Sequence, residues 1–226
     1  MKAPKIFLVL FACILIDRSL SPPFAFAEQS DTVQALKRKV VHFEAIDLGV
    51  YRCGLISEEA APLLKELGVK TVINFDNQNE RARAESNLLE HFGIYTVRIP
   101  WSGWDYPSQA VVKQFLTLMK NPELRPIVVH CKRGSERTGL AIALWRVDAL
   151  GWTANRAYDE MKQYEYRKFL QGHLKKYLYQ FAKDHGDKTA KLTNPFERIK
   201  TNVFYYFFQL RKLNPFLKRH EIIHPA

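Results

Sequence analysis

Ile127-Val128-Val129-His130-Cys131-Lys132-Arg133-Gly134-Ser135-Glu136-Arg137-Thr138-Gly139 decides how this chain is read. Three β-branched residues, Ile127 to Val129, predict a short buried strand. Cys131 to Arg137 are polar, with Gly134 in their middle, and predict a tight loop. From Thr138 the run Gly-Leu-Ala-Ile-Ala-Leu-Trp has the apolar density and helix formers of a buried helix. A strand, a loop and a helix N-terminus in that order form an anion cradle, because loop N–H groups and the helix dipole converge on one point. This cradle carries a cysteine at its first position and an arginine at its last.

Those two residues suggest chemistry beyond binding. A thiol attacks well only as a thiolate, which a helix N-terminus and a nearby guanidinium both favour. The planar fork of Arg137 matches two oxygens of a phosphate. Gly134 permits a backbone turn that points an N–H inward. Thr138 stands where its hydroxyl reaches the Cys131 sulfur. His130 is expected to support the loop through hydrogen bonding. Lys132, Arg133, Gly134, Ser135 and Glu136 make up the candidate phosphate-binding turn.

The rest of the chain alternates strands and helices. Strands are expected within Val40–Cys53 and over Val69–Phe75, Ile94–Ile99 and Ile127–Val129. Helices are expected from Ser57 to Leu67, Glu80 to Phe92 and Pro107 to Lys120, then from Thr138, over Ala154–Tyr164 and over Gly172–Asp184. This is an α/β pattern: a central, mostly parallel sheet of about four to five strands flanked by helices. Ligands of such sheets sit beyond the carboxyl ends of the strands, where the Cys131 loop falls.

The flanks differ in texture. Lys2 and Lys5, the unbroken apolar run Ile6–Ile16 and the small-x-small site Ala25-Phe26-Ala27 read as an export signal over residues 1–27, implying a periplasmic or secreted protein. Residues 28–39 are polar and read as a weakly ordered lead-in. Residues 40–185 form the folded domain. Residues 186–226 mix aromatic and basic side chains, as in Val203-Phe204-Tyr205-Tyr206-Phe207-Phe208 beside Arg211 and Lys212. They suit either a docked helix or contact with a membrane surface.

The chain has 226 residues and a formal charge of +11, which favours anionic partners. No RNA-binding signature or zinc-finger spacing is present, so nucleic acid is not an expected partner. Of the three cysteines, Cys13 lies in the export segment. Cys53 and Cys131 are too few for a disulfide framework and wrongly spaced for a cysteine-based zinc site.

His130-Cys131-x-x-Gly134-x-x-Arg137-Thr138-Gly139 resembles the signature of the cysteine-dependent protein tyrosine phosphatase superfamily, most of all its compact atypical dual-specificity type. Tyr51-Arg52-Cys53-Gly54, Leu67-Gly68-Val69-Lys70-Thr71-Val72-Ile73-Asn74 and Gly151-Trp152 extend the resemblance over Val40–Asp184. His130-Cys131-Lys132-Arg133-Gly134 is especially similar to fungal and plant atypical enzymes acting on inositol pyrophosphates, and to bacterial relatives. The resemblance implies a dual-specificity phosphatase-like fold and a two-step reaction needing no metal or other cofactor. Cys131 attacks phosphorus while an acid protonates the leaving oxygen; water then hydrolyses the phosphocysteine. It places the acid on Trp101–Pro107, where Asp105 is the one carboxylate, flanked by aromatics expected to raise its pKa. Asp105 also suits a helix cap before Pro107. Asp76, Asn77, Arg81, Arg98 and Trp101 are weaker candidates for the rim. The implied substrates are phosphotyrosine or dual-specificity protein sites, or inositol polyphosphates. A phosphate-binding module without turnover and a sulfurtransferase-like domain are the alternatives. A reversible Cys53–Cys131 bond would guard an exported thiolate against oxidation.

Overall fold

The computed structural model describes residues 23–192 and 195–213. The export segment lies outside the described residues as far as residue 22, and so does the tail beyond residue 213. Five strands form one sheet: β1 (Glu44–Asp47), β2 (Val50–Cys53), β3 (Thr71–Asn74), β4 (Tyr95–Arg98) and β5 (Ile127–His130). Their order is β1-β2-β5-β3-β4, with β1 antiparallel to β2 and every other pair parallel. The helices are α1 (Pro23–Lys39), α2 (Ala61–Glu66), α3 (Asn79–His91), α4 (Gln109–Lys120), α5 (Glu136–Leu150), α6 (Ala154–Lys162), α7 (Gly172–Asp184) and α8 (Pro195–Leu213).

The period of two along a strand explains why two layers of helices are needed. On β5, Ile127 and Val129 face one core, while Val128 faces the other. On β3, Ile73 and Val72 divide in the same way. The first core holds Phe115 and Met119 of α4, most of α5, and parts of α6 and α7. The second holds Leu36 of α1, Leu64 of α2 and Leu89 of α3. A sheet buried on both faces accounts for the continuous β-branched runs.

The register positions the site. Cys53 of β2, His130 of β5 and Asn74 of β3 stand in one row across the sheet. Arg98 of β4 extends that row beyond Asn74. These strands therefore end level with one another, and the loops after them meet at one edge.

Three boundaries differ from expectation. The helix expected from Ser57 begins at Ala61 and has no side-chain cap. Pro62 lacks an N–H and fits only the first turn, so the helix starts around it. Pro107 precedes the next helix instead of opening it: Ser108 is the N-cap and its Oγ accepts from the Val111 amide at 3.3 Å. The segment read as a weakly ordered lead-in is helical, and its Leu36 is fully buried. Val33, Leu36 and Val40 recur at helical spacing within a polar context and pack in the second core. Thr32 Oγ1 donates to Glu66 Oε1 at 2.5 Å, joining α1 to α2.

If α1 is integral to the fold, Leu36→Ala lowers stability by about 2–5 kcal/mol. Urea unfolding followed by circular dichroism measures this; a change below about 0.5 kcal/mol would show a peripheral helix.

Candidate active site

The loop between β5 and α5 is held from outside by its carbonyls. Lys132 O accepts from the Leu55 amide at 3.1 Å. Arg133 O accepts from His42 Nδ1 at 2.9 Å. Gly134 O accepts from Arg52 Nη2 at 2.6 Å. A trans peptide is planar and sets its C=O and N–H on opposite sides. Tying these three carbonyls outward therefore turns the N–H groups of Arg133, Gly134 and Ser135 to the inner side. Among the described residues, none of the three donates to a backbone carbonyl. Together with the start of α5 they make a nest for an anion.

Gly134 makes this path possible. Its φ is +73°, and a Cβ there would lie 2.6 Å from the Cys53 carbonyl carbon and 2.7 Å from the Gly54 amide nitrogen. Gly54 is equally constrained: a Cβ would meet Val41 Cγ1 at 2.3 Å and the Arg133 carbonyl oxygen at 3.3 Å. The loop and the end of β2 thus touch backbone to backbone.

Arg52 is the buried support beneath the loop. It is wholly inaccessible, and its guanidinium carbon lies 3.4 Å from the Tyr164 ring centroid. Burial pushes its pKa down to about 10, opposed by Tyr164, Glu160, Cys131 and Cys53, so it stays cationic at neutral pH. Local sequence patterning offered one sign of it, a charge inside a strand whose four residues are all buried.

Arg137 is anchored by one nitrogen. Its Nη1 donates to Phe75 O at 2.7 Å, to Trp101 O at 3.1 Å and to Asn77 Oδ1 at 3.2 Å, with Asp76 Oδ1 at 3.8 Å. The Nε–Nη2 edge has no such partner among the described residues, and that edge is the one that grips two oxygens of an oxyanion. Asp76 also pairs with Arg81, at 2.6 Å from Nη2. Of the weaker rim candidates, Asp76, Asn77 and Trp101 therefore surround Arg137, and Arg81 is tied to Asp76. Arg98 instead donates to Asn79 Oδ1 at 3.0 Å, away from the loop.

A buried polar chain runs beneath these groups. His130 Nε2 lies 2.8 Å from Glu85 Oε1. The same oxygen accepts from Asn74 Nδ2 at 2.8 Å, and Asn74 Oδ1 accepts from the Asp76 amide at 2.6 Å. His130 and Arg137 are thereby connected through Glu85, Asn74 and Asp76. Glu85 and Asn74 lie on other elements, so the spacing of the loop residues gave no sign of them.

Cys131 is 2% exposed and, like Cys53, a free thiol. The two belong to different cores. Burial raises the Cys53 thiol well above its ordinary value, which leaves it protonated and inert. Thr138 Oγ1 is buried without a partner among the described residues, so its proton is uncommitted. Glu136 and Ser135 enter the turn through their backbone. The Glu136 carboxylate is taken by Arg167 Nε at 2.6 Å, and Ser135 Oγ sits 3.5 Å from His42 Nδ1. Arg133 lies 3.7 Å from Glu136 and 3.8 Å from Glu165. Lys132 makes no ion pair among the described residues.

The 100–107 loop comes in from the side of β4. Trp101 O accepts from Arg137, and a Cβ on Gly103 would lie 3.5 Å from Arg137 Cγ. Asp105 follows two residues later. Its Oδ1 accepts from Lys212 Nζ at 2.5 Å and from Gln209 Nε2 at 2.8 Å, both on α8. Burial raises the Asp105 carboxyl, but hydrogen bonds from Lys212 and Gln209, the Lys212 charge and a Ser102 hydrogen bond outweigh it and leave the pKa lowered. The expectation that flanking aromatics raise it is therefore corrected. Those aromatics pack on α7 and α8, with Trp104 against Phe208 and Tyr106 against Tyr205.

His173 of α7 is buried against Tyr106 and Tyr205. Burial pushes its pKa down to about 4, opposed by the Gly103 backbone and the Asp105 charge. An unfolded histidine titrates near 6.5. The unfolded state therefore binds the proton first, and stability present above pH 6.5 is lost as pH falls toward 4. Its contribution amounts to about 3 kcal/mol at most. Thermal melts between pH 7 and 4.5 should show His173→Phe losing less stability on acidification than wild type; parallel losses would contradict the assignment.

The dual specificity protein phosphatase TpbA of Pseudomonas aeruginosa is 32% identical over 115 residues, which cover 50% of this chain and 50% of TpbA. Inositol diphosphatase DSP4 of Arabidopsis thaliana is 24% identical over 130 residues, covering 55% and 64% of the two chains. The chain thus spans about half the length of TpbA. The core catalytic domain of the Saccharomyces cerevisiae PP-IP phosphatase SIW14 has the same fold, with a TM-score of 0.54 at 22% identity over 74% of this chain and 94% of that one. The model of a family described as DSP-PTPase phosphatase fused to NAD+ kinase matches residues 25–177, from α1 into α7 and across the whole Cys131 loop. That match takes in more than half of the sequence, and the chain belongs to this DSP-PTPase family.

Proposed function

We propose that the chain hydrolyses phosphate monoesters through a phosphocysteine. The observation that carries this reading is the inward set of Arg133, Gly134 and Ser135 N–H groups, on a loop that begins with Cys131 and ends at Arg137, whose Nε–Nη2 edge has no partner among the described residues. These donors suit the three outer oxygens of a phosphoryl group in transfer. In the first step the Cys131 sulfur bonds to phosphorus as the P–O bond to the leaving group breaks, and Asp105 gives its proton to the departing oxygen. The uncommitted proton of the buried Thr138 hydroxyl supports a role in donating to the sulfur as it departs. In the second step water attacks phosphorus and yields a proton to the Asp105 carboxylate, and the S–P bond breaks. Arg52 holds the loop in shape from below and touches no substrate.

The substrates we infer are phosphotyrosine or dual-specificity sites of proteins, or inositol phosphates; TpbA is named a dual specificity protein phosphatase and DSP4 an inositol diphosphatase. The uncommitted charge of Lys132 supports a polyanion. We also infer that the chain works after export, supported by Lys2, Lys5, Ile6–Ile16 and Ala25-Phe26-Ala27. Contact with an anionic membrane surface is supported by the exposed Ile199, Val203, Tyr206, Phe207, Leu210 and Leu213 of α8, near Arg211.

Reduced wild-type protein should release phosphate from p-nitrophenyl phosphate, and Cys131→Ser should not. Binding of phosphate without any release would instead indicate a non-catalytic module. Parallel assays with a phosphotyrosine peptide and inositol hexakisphosphate separate the two substrate classes. Gly134→Ala forces backbone atoms apart at the loop, so its kcat/KM should fall by about a hundredfold or more while the fold is retained. Unchanged turnover would show that the loop's path is not needed.

A further inference from the structure

Helix α8 has two unlike faces. Tyr205, Phe208, Gln209 and Lys212 recur at helical spacing and turn toward the 100–107 loop and α7. The ring centroids of Trp104 and Phe208 are 3.9 Å apart, and those of Tyr106 and Tyr205 are 4.7 Å apart. On the opposite side Val203, Tyr206, Phe207 and Leu210 are exposed. The aromatic pairs on either side of Asp105 thus seat α8 on this loop, and the two polar side chains of that seat converge on one oxygen, Asp105 Oδ1. A stretch that local sequence reads as an appendage reaches the candidate acid itself.

We propose that Lys212 and Gln209 are positioning residues for the reaction: they fix the Asp105 carboxylate and set the pH range over which it serves as the acid. The inference rests on the reading of Asp105 as the proton donor given above. Lys212 is a cation at ion-pair distance, so it favours the charged carboxylate. Gln209 donates to the same oxygen and favours the same state. The other groups facing Asp105 are Ser102 from its own loop, which also favours the carboxylate, and His173 of α7, which is neutral above its low pKa and adds no opposing charge near pH 7. The favoured carboxylate is the form that takes the proton from water in the second step. It is the wrong form for the first step, where a poor leaving group needs a protonated acid. α8 therefore moves the alkaline limit of the first step to lower pH.

The experiment compares wild type, Lys212→Met, Lys212→Arg and Asp105→Asn as full-length proteins, each measured from pH 4.5 to 8. Phenyl phosphate supplies a poor leaving group, and an activated aryl phosphate such as 2,4-dinitrophenyl phosphate a good one. In Lys212→Met the alkaline limb for phenyl phosphate should move to higher pH, giving rates about two- to fivefold above wild type on that limb. The activated ester should show no such shift, and Lys212→Arg should restore the wild-type profile. Gln209→Ala, which leaves the charge in place, should shift the limb in the same direction and by less. If Asp105→Asn slows phenyl phosphate hydrolysis while Lys212→Met leaves the limb in place or scales the whole profile uniformly, the positioning role is overturned and the acid reading stands. If Asp105→Asn leaves phenyl phosphate hydrolysis unchanged, the acid reading falls, and this inference with it.

Discussion

The outward tethering of three carbonyls is the constraint on which the site depends. Leu55, His42 and Arg52 each hold one carbonyl of the Lys132–Gly134 segment. Peptide planarity then turns the opposite N–H groups inward, with no contribution from a side chain inside the cradle. The donors come from the α1–β1 connection, from β2 and from the turn after β2. Those elements are placed by a sheet in which β2 lies beside β5 and Cys53 stands opposite His130. The anion nest is therefore a property of the tertiary structure, although the residues that form it are contiguous.

Two arginines divide the work. Arg52 lies below the loop and is spent on structure: one nitrogen on Gly134 O and its face on Tyr164. Arg137 lies beside the loop and keeps an edge free, because Phe75, Trp101 and Asn77 all take the same nitrogen. A lysine at either position would supply charge without the planar fork. The Glu85–Asn74–Asp76 chain connects His130 to the surroundings of Arg137, so the start of the loop and its last residue share one buried network.

Much of this was legible in the sequence, for a physical reason. Continuous β-branched runs on β3 and β5 and one-sided apolar spacing on α4 are local signals, and they placed the sheet and most helices within a few residues. The cysteine, glycine and arginine of the loop are local too, since the loop is one continuous segment. Illegible were contacts made across the fold: Glu85 to His130, His42 to Arg133, and Lys212 to Asp105. Arg52 stood in view as a charge within a strand, but its partner Gly134 lies 82 positions away. The pKa direction of Asp105 was misjudged because its neighbours in sequence are aromatic, whereas its neighbours in space include a lysine 107 positions later. α1 is hard to read locally because Val33, Leu36 and the following Val40 stand in a polar stretch and carry little signal until a second core exists to receive them.

The central claim is that Cys131 bonds to phosphorus during turnover. Rapid acid quenching of the wild-type protein with an aryl phosphate, followed by peptide mass spectrometry, tests it most directly. The account predicts a phosphoryl adduct on the peptide that contains Cys131, appearing within the first turnover and absent from Cys131→Ser. Steady release of phosphate with no adduct, undiminished by Cys131→Ser, would contradict it.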